Sequence, residues 1–313
     1  MSCPLSVALE GVMASRAKRT IPVPEDYPHN SSLSGPDLFS NDYLSLTRNT
    51  ALRQSALKLL SETPLILGSG GSRWLAGNTF AHIAFEKRMS EFFGAPSALL
   101  CNSGYDANVA FWRSIPQEGD AIVFDELIHA STRDGMSECR AKEAIYPFSH
   151  NSVASFRERL LHVLSKHPAI AARQATVFIA IEALYSMDGD FAPLQDIVDA
   201  VNDLIPVGCA HLVVDEAHST GLYGEGGRGL VSATGLVGRI DTVLHTFGKA
   251  RAASGGERLT SPRWSEKFTD IEVYCSCYPN FACDQKIPDQ LCPPTDLHHF
   301  SLWLIFMHSE CFF

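Results

Sequence analysis

Residues 211–218 read His-Leu-Val-Val-Asp-Glu-Ala-His, a short apolar run that stops on two acids and a histidine. Four further runs have the same character: Ser97–Cys101 (SALLC), Ala121–Phe124 (AIVF), Ala175–Ile181 (ATVFIAI) and Thr242–His245 (TVLH). Runs this short and this continuously apolar suit strands buried on both faces. Between them, apolar residues at helical spacing predict helices over 79–93, 105–115, 130–140, 151–166 and 193–204, the last opening near Pro193. Such alternation implies an α/β fold, a mostly parallel sheet with helices on both faces. Ligands of such sheets bind beyond the carboxyl ends of the strands, so the residues that follow each run carry the functional reading.

Those residues share a chemistry. After Ser97–Cys101 comes Asn102-Ser103-Gly104-Tyr105, small and polar and leading into a helix whose first amides suit an anion. Asp125-Glu126-Leu127-Ile128-His129 follows the second run, and Glu182 then Ser186-Met187-Asp188-Gly189-Asp190 follow the third. Asp215-Glu216-Ala217-His218 closes the fourth and Thr246-Phe247-Gly248-Lys249 the fifth. Singly, each has a bland structural explanation as a cap or a turn. Together, a lysine, an aspartate, two histidines and a phosphate-type turn at one end of a sheet amount to a site.

Two motifs point elsewhere by letter and fail on context. Asp215–His218 spells DEAH, but a nucleotide-driven helicase also needs a Gly-x-x-x-x-Gly-Lys-Ser/Thr loop, and Val243 and Ala250 break that pattern around Gly248-Lys249. Gly224–Gly229 fits G-x-G-x-x-G, yet no strand precedes it directly, so it reads as a glycine-rich loop. The formal charge of −10 opposes a nucleic-acid partner or an anionic membrane surface. The longest apolar run of the tail, Leu302–Met307, is far below membrane-spanning length. Nine irregularly spaced cysteines and no secretory signal suit a reducing compartment, with the cytoplasm expected and peroxisome or mitochondrion as alternatives.

The cluster answers the demands of pyridoxal 5'-phosphate. A lysine amine (Lys249) is needed for the Schiff base with the aldehyde, and a carboxylate (Asp215) for the pyridine nitrogen. A donor near the phenolic oxygen (His218), a flat group over the ring (His129) and amides with a hydroxyl for the phosphate (Ser103-Gly104-Tyr105, Thr246) complete the list. Several stretches in order then resemble the α-oxoamine synthase family. They are Ser40-Asn41-Asp42-Tyr43-Leu44, Gly68-Ser69-Gly70-Gly71-Ser72-Arg73, Ser103–Tyr105, Asp125–Ser131, Ser186–Asp190, Asp215–Gly229 and Thr246–Lys249.

The resemblance spans residues 37–256 and implies the large domain of a fold type I pyridoxal-phosphate transferase. It implies catalytic roles for Lys249, Asp215, His218 and His129, cofactor contacts from Gly104, Tyr105 and Thr246, and Ser186 along the cofactor edge. It further implies Asn41 near the substrate carboxylate and Gly68–Arg73 at the interface of a homodimer. The implied reaction joins a small amino acid to an acyl-CoA with loss of CO₂ and CoA, giving an α-aminoketone. The residues alone leave open an aminotransferase, an aldolase-like lyase, or an inactive homologue that acts by dimerising.

Composition changes sharply after residue 256. All 22 glycines precede residue 257, and five cysteines (Cys275, Cys277, Cys283, Cys292, Cys311) crowd into 257–313. Three segments are therefore expected: 1–36, a cofactor-binding domain over 37–256, and a divergent tail over 257–313 in place of the family's small C-terminal domain. Glu257-Arg258-Leu259-Thr260-Ser261-Pro262 reads as lacking the strand that family members place after the lysine, which would leave a sheet neighbour unpaired. The tail's cysteine spacing fits no common zinc pattern, so no metal is expected.

Overall fold

A computed structural model describes residues 37–38, 40–62, 69–73 and 76–260. The chain divides into residues 1–40 and 41–313, and every element below belongs to the second unit. Seven strands form one sheet: β1 Ser97–Cys101, β2 Ala121–Asp125, β3 Ile145–Phe148, β4 Val177–Glu182, β5 Ala210–Asp215, β6 Thr242–Thr246 and β7 Gly256–Thr260. Their spatial order is β1-β7-β6-β5-β4-β2-β3. β7 is antiparallel to both neighbours and all other pairs are parallel, so β1 runs in the same sense as β6. The mostly parallel α/β sheet expected from the apolar runs is the one found.

Among the described residues, six helices of eight or more residues accompany it: α1 Thr50–Glu62, α2 Phe80–Phe93, α3 Gly104–Ser114, α4 Ala130–Ser137, α5 Val153–Lys166 and α6 Leu194–Leu204. On one face of the sheet, Phe156 and Leu160 of α5 and Leu194, Ile197 and Val198 of α6 pack on Ile179, Ile181, Leu212 and Val214. On the other, Phe111 and Trp112 of α3 and Met136 of α4 cover Ile122, Phe178 and Val213. Each of these side chains contributes roughly 1.5–3 kcal/mol by leaving water. Every residue of β4 is buried, which is why its sequence does not alternate. α2 starts in a capping box between Thr79 and His82 and stops at Gly94 in the left-handed region (φ 69). Its buried residues fall every fourth position, Ala81, Phe85, Met89 and Phe93, and the last three meet Phe247 and Leu259.

Three elements depart from expectation. α1 buries none of its residues, so no apolar stripe announces it. β3 is an edge strand interrupted by Pro147, tolerable there because an edge residue need not donate to a neighbour. β7 is the larger correction: the stretch after Lys249 does form a strand, and it sits between β1 and β6, so neither is left unpaired. Its charged letters are buried rather than exposed. The Arg258 guanidinium donates to the Ala107 carbonyl (2.8 Å) and lies 4.0 Å from the Phe111 ring centre, a favourable cation–aromatic geometry. Gly256 lets the strand pass flat against the start of α3, since a β-carbon there would fall 2.5 Å from the Gly104 nitrogen. The cysteines at 275–311 lie outside the described residues. No helix among the described residues is long and apolar enough to cross a membrane.

Candidate functional site

A cavity of about 240 Å³ opens at the carboxyl ends of β1, β5 and β6. Ser103, Gly104, Tyr105, His129, Asp215, His218, Thr246 and Lys249 all line it. The residues singled out after four separate strands are thus brought into one space.

Asp215 ends β5 and is nearly fully buried. One carboxylate oxygen accepts from the Asn108 side-chain amide (2.8 Å) and the other from the Ala217 backbone N–H (2.8 Å). Asn108 sits one helical turn into α3, and its amide also donates to Ser131 (3.0 Å), so two helices fix the orientation of one carboxylate. Glu182 faces Asp215 in register on β4. Burial, with the Asp215 charge second, raises its pKa to about 8, so it holds a proton at neutral pH.

His218 follows three residues after Asp215. Its Nε2 lies 2.9 Å from Lys249 Nζ and its Nδ1 lies 2.7 Å from the Tyr43 hydroxyl. Burial first, then the neighbouring Lys249 and His129, lowers its pKa to about 4, so the ring is neutral. Burial also lowers the Lys249 pKa, while Asp215 and Glu182 pull it back up. Such a lysine holds more of its reactive neutral amine near pH 7 than a surface lysine does. His129 begins α4 and its Nδ1 meets the Ser131 hydroxyl (2.7 Å) and backbone N–H (3.2 Å), which holds the ring as a fixed plane.

α3 begins at the cavity wall. Ser103 caps it, its hydroxyl receiving the Asp106 N–H (3.0 Å). The Gly104 and Tyr105 amides precede the first intrahelical acceptor and stay available to an anion. A β-carbon on Gly104 would stand 3.0 Å from the Thr246 β-carbon, so glycine keeps the helix start and the Thr246 hydroxyl in close company. Tyr105 is half-exposed and its hydroxyl donates to Asp134.

Other sequence expectations land elsewhere. Ser186 is exposed and outside the cavity lining, because the bonds Tyr185 N to Asp190 O and Gly189 N to Tyr185 O close a turn that carries it to solvent. Asn41 is also outside the lining and accepts from the Tyr43 hydroxyl (3.1 Å). Asp125 and Asp190 turn to His150 (2.8 and 3.0 Å) and tie loops together rather than face the cavity. Of the Gly68–Arg73 loop, residues 69–73 are described; Arg73 bonds Glu86 (2.7 Å) and the Leu100 carbonyl (3.0 Å). The glycine loop 224–229 is clamped by Glu216, whose Oε1 accepts from Val231 N (2.5 Å), and a β-carbon on Gly229 would collide with Oε2 at 1.6 Å. Sequence reading missed Asn108 and Tyr43.

A family model described as aminotransferase class I and II matches residues 36–272. The chain is 46% identical over 224 residues to 8-amino-7-oxononanoate synthase of Emericella nidulans, covering 71% of this chain and 54% of that protein. It is 41% identical over 229 residues to aminoacyl transferase sphA of Byssochlamys spectabilis, covering 73% and 48%. The chain spans about half the length of these curated relatives. A solved structure of SPT with a PLP internal aldimine superposes with a TM-score of 0.64 at 31% identity, over 77% of this chain and 55% of that one.

Proposed function

Because the chain belongs to the aminotransferase class I and II family, we propose that the cavity around Lys249 holds pyridoxal 5'-phosphate. The activity we assign is that of an α-oxoamine synthase resembling 8-amino-7-oxononanoate synthase: condensation of a small amino acid with an acyl-CoA, with loss of CO₂, to an α-aminoketone. Biotin synthesis or a secondary-metabolite route would use such a product. One observation carries the reading: a partly desolvated lysine, a clamped aspartate, a neutral histidine and a helix N-terminus line a single cavity.

The residues fit the cofactor by the chemistry of their donors. Gly104 and Tyr105 amides with the Thr246 hydroxyl form a cradle for a phosphate, kept open because Gly104 lacks a β-carbon. Asp215, held by Asn108 and Ala217 N, offers its carboxylate to a pyridinium nitrogen. His218 serves the phenolic oxygen, His129 supplies the flat cover, and Lys249 presents the amine to the aldehyde. Pyridoxal phosphate, when bound, supplies an electron sink for a carbanion at the amino acid's α-carbon.

This chain's own groups then manage protons. Lys249 Nζ and His218 Nε2 stand 2.9 Å apart, and burial disfavours a positive charge on either, so a proton taken up at Lys249 is readily released again. Glu182 stays protonated beside Asp215 and leaves Asp215 the carboxylate that faces a cation. The same reading makes the protein a homodimer with Gly68–Arg73 at the interface and places it in a reducing compartment, the cytoplasm.

Borohydride treatment of the protein with pyridoxal phosphate tests the cofactor site. The modified peptide is expected to contain Lys249 and to vanish in Lys249→Ala; labelling at another lysine overturns the assignment. Incubation with glycine, alanine or serine and an acyl-CoA tests the reaction. Thiol and CO₂ release support it, and keto-acid formation without thiol release favours an aminotransferase.

A further inference from the structure

The segment Asn41-Asp42-Tyr43 contributes more than its asparagine. The Tyr43 hydroxyl touches two groups, Asn41 Oδ1 at 3.1 Å and His218 Nδ1 at 2.7 Å, and the far side of the same imidazole meets Lys249 Nζ at 2.9 Å. Four side chains therefore form one line of hydrogen bonds that ends on the reactive amine.

The donors in that line can be counted. His218 is neutral, with one N–H donor and one acceptor nitrogen. A protonated Lys249 only donates, so Nε2 must accept from it and the imidazole proton must reside on Nδ1. Tyr43 Oη then accepts from Nδ1, and its own O–H has Asn41 Oδ1 as an acceptor. Every contact is satisfied once and none twice. The opposite tautomer would set the Nε2 hydrogen against the lysine ammonium, two donors face to face, at a cost of the order of a lost hydrogen bond.

We propose that Tyr43, oriented by Asn41, is a positioning residue that sets the tautomer of His218 and allows it to invert. With Lys249 protonated and no cofactor, the proton lies on Nδ1 and Tyr43 accepts it. When an acceptor oxygen of the cofactor faces Nε2, the proton lies on Nε2, and Tyr43 rotates its O–H to donate to Nδ1. This second half rests on the cofactor reading given above; the first half does not. A hydroxyl can play both parts because it donates and accepts, whereas a phenylalanine can play neither. Tyr43 is 43% exposed, so losing its hydroxyl removes no core packing.

Two-bond ¹H–¹⁵N correlation spectra of histidine-labelled protein test this, with His218 identified by the signal lost in His218→Asn. In cofactor-free wild type, the pattern of a proton on Nδ1 is expected. Tyr43→Phe should move the tautomer ratio toward Nε2 by about fivefold, the size of one net hydrogen bond, with an unchanged thermal midpoint. Asn41→Ala should move it the same way by less. Wild type with its proton on Nε2, or Tyr43→Phe with an unaltered ratio, overturns the proposal. Added pyridoxal phosphate should invert the ratio in wild type and invert it less in Tyr43→Phe. Bound cofactor without inversion overturns the second half. Failure to bind cofactor at all counts against the cofactor reading, and the cofactor-free spectra still decide the role of Tyr43.

Discussion

Glu182 and Asp215 end two adjacent parallel strands in direct register, two acids side by side at the floor of one cavity. They divide the labour. Asp215 receives two N–H groups, whereas burial and the Asp215 charge keep Glu182 protonated up to about pH 8. Glu182→Gln should therefore leave the Kd for pyridoxal phosphate within about twofold of wild type, since the amide mimics the neutral acid. Asp215→Asn removes a charge-assisted bond worth about 2 kcal/mol and should weaken binding roughly thirtyfold. Titration of cofactor absorbance measures both; equal effects would refute the division.

Stability should fall as pH rises from 6.5 to 8. Folded Glu182 and Glu216 have pKa values raised to about 8 by burial, and burial raises folded Glu257 well above its ordinary value. Above 4.5 the unfolded chain has released protons that these folded carboxyls retain, so rising pH favours unfolding. His82 and His218, lowered to about 4, and His245, lowered to about 3, act in the other direction, and their stability is lost as pH falls below 6.5. Between 4.5 and 6.5 the two sets oppose each other; above 6.5 these histidines no longer oppose the carboxyls, and His150, whose pKa burial lowers but Asp125 and Asp190 raise on balance, acts in the same direction as the carboxyls. Each contributes at most about 1.4 kcal/mol per pH unit. Calorimetry of the cofactor-free protein at pH 6.5 and 8 checks this, and a higher midpoint at pH 8 would contradict it.

Replacing Glu257 should stabilise the fold. Its carboxyl is fully buried on β7 and neither oxygen has a hydrogen-bond partner among the described residues. Glu257→Leu removes that desolvation cost, of the order of 2–3 kcal/mol, and should raise the thermal midpoint by roughly 5–10 °C. A lower midpoint would mean that the carboxyl has partners in solution.

Gly104→Ala should harm both folding and cofactor binding. The new methyl would press on Thr246, 3.0 Å from its β-carbon and 3.2 Å from its hydroxyl oxygen. A shift of the helix start costs about 1–3 kcal/mol of overpacking. Phosphate affinity, read by competition of inorganic phosphate with the cofactor, should drop by about tenfold or more, in line with the lost anion cradle. Unchanged affinity would place the phosphate elsewhere.

The strands that were legible in the sequence are those whose two faces are both covered. Burial on both sides demands continuous apolar letters, and β4 and β5 supply them. β3, half-buried at the sheet edge, carries a proline and no such run. β7 was misread because Glu257 and Arg258 look like solvent-facing charges, and only the three-dimensional packing supplies the Ala107 carbonyl and the Phe111 ring. In the site, Lys249, Asp215, His218 and His129 could be read because each follows a strand end. Asn108 could not, since its role depends on how α3 lies against β5. Tyr43 could not either, its partner being 175 residues away. Ser186 lies outside the cavity lining because turn closure, not composition, decides which way that loop points.

The position of β7 also sets an order of events in folding. Among the described residues β1 is the first strand made and β7 the last; β1 touches the sheet only through β7, with Ser97 paired to Thr260 across 163 positions of chain. During synthesis, β2 to β6 can assemble as their loops close and α3 can pack on them through Phe111 and Trp112, while β1 has no strand to pair with until residue 260 emerges. Closure over so long a separation slows folding and leaves the start of α3 exposed meanwhile. The cradle proposed for phosphate is thus completed by the final strand, at the end of assembly and not at the beginning.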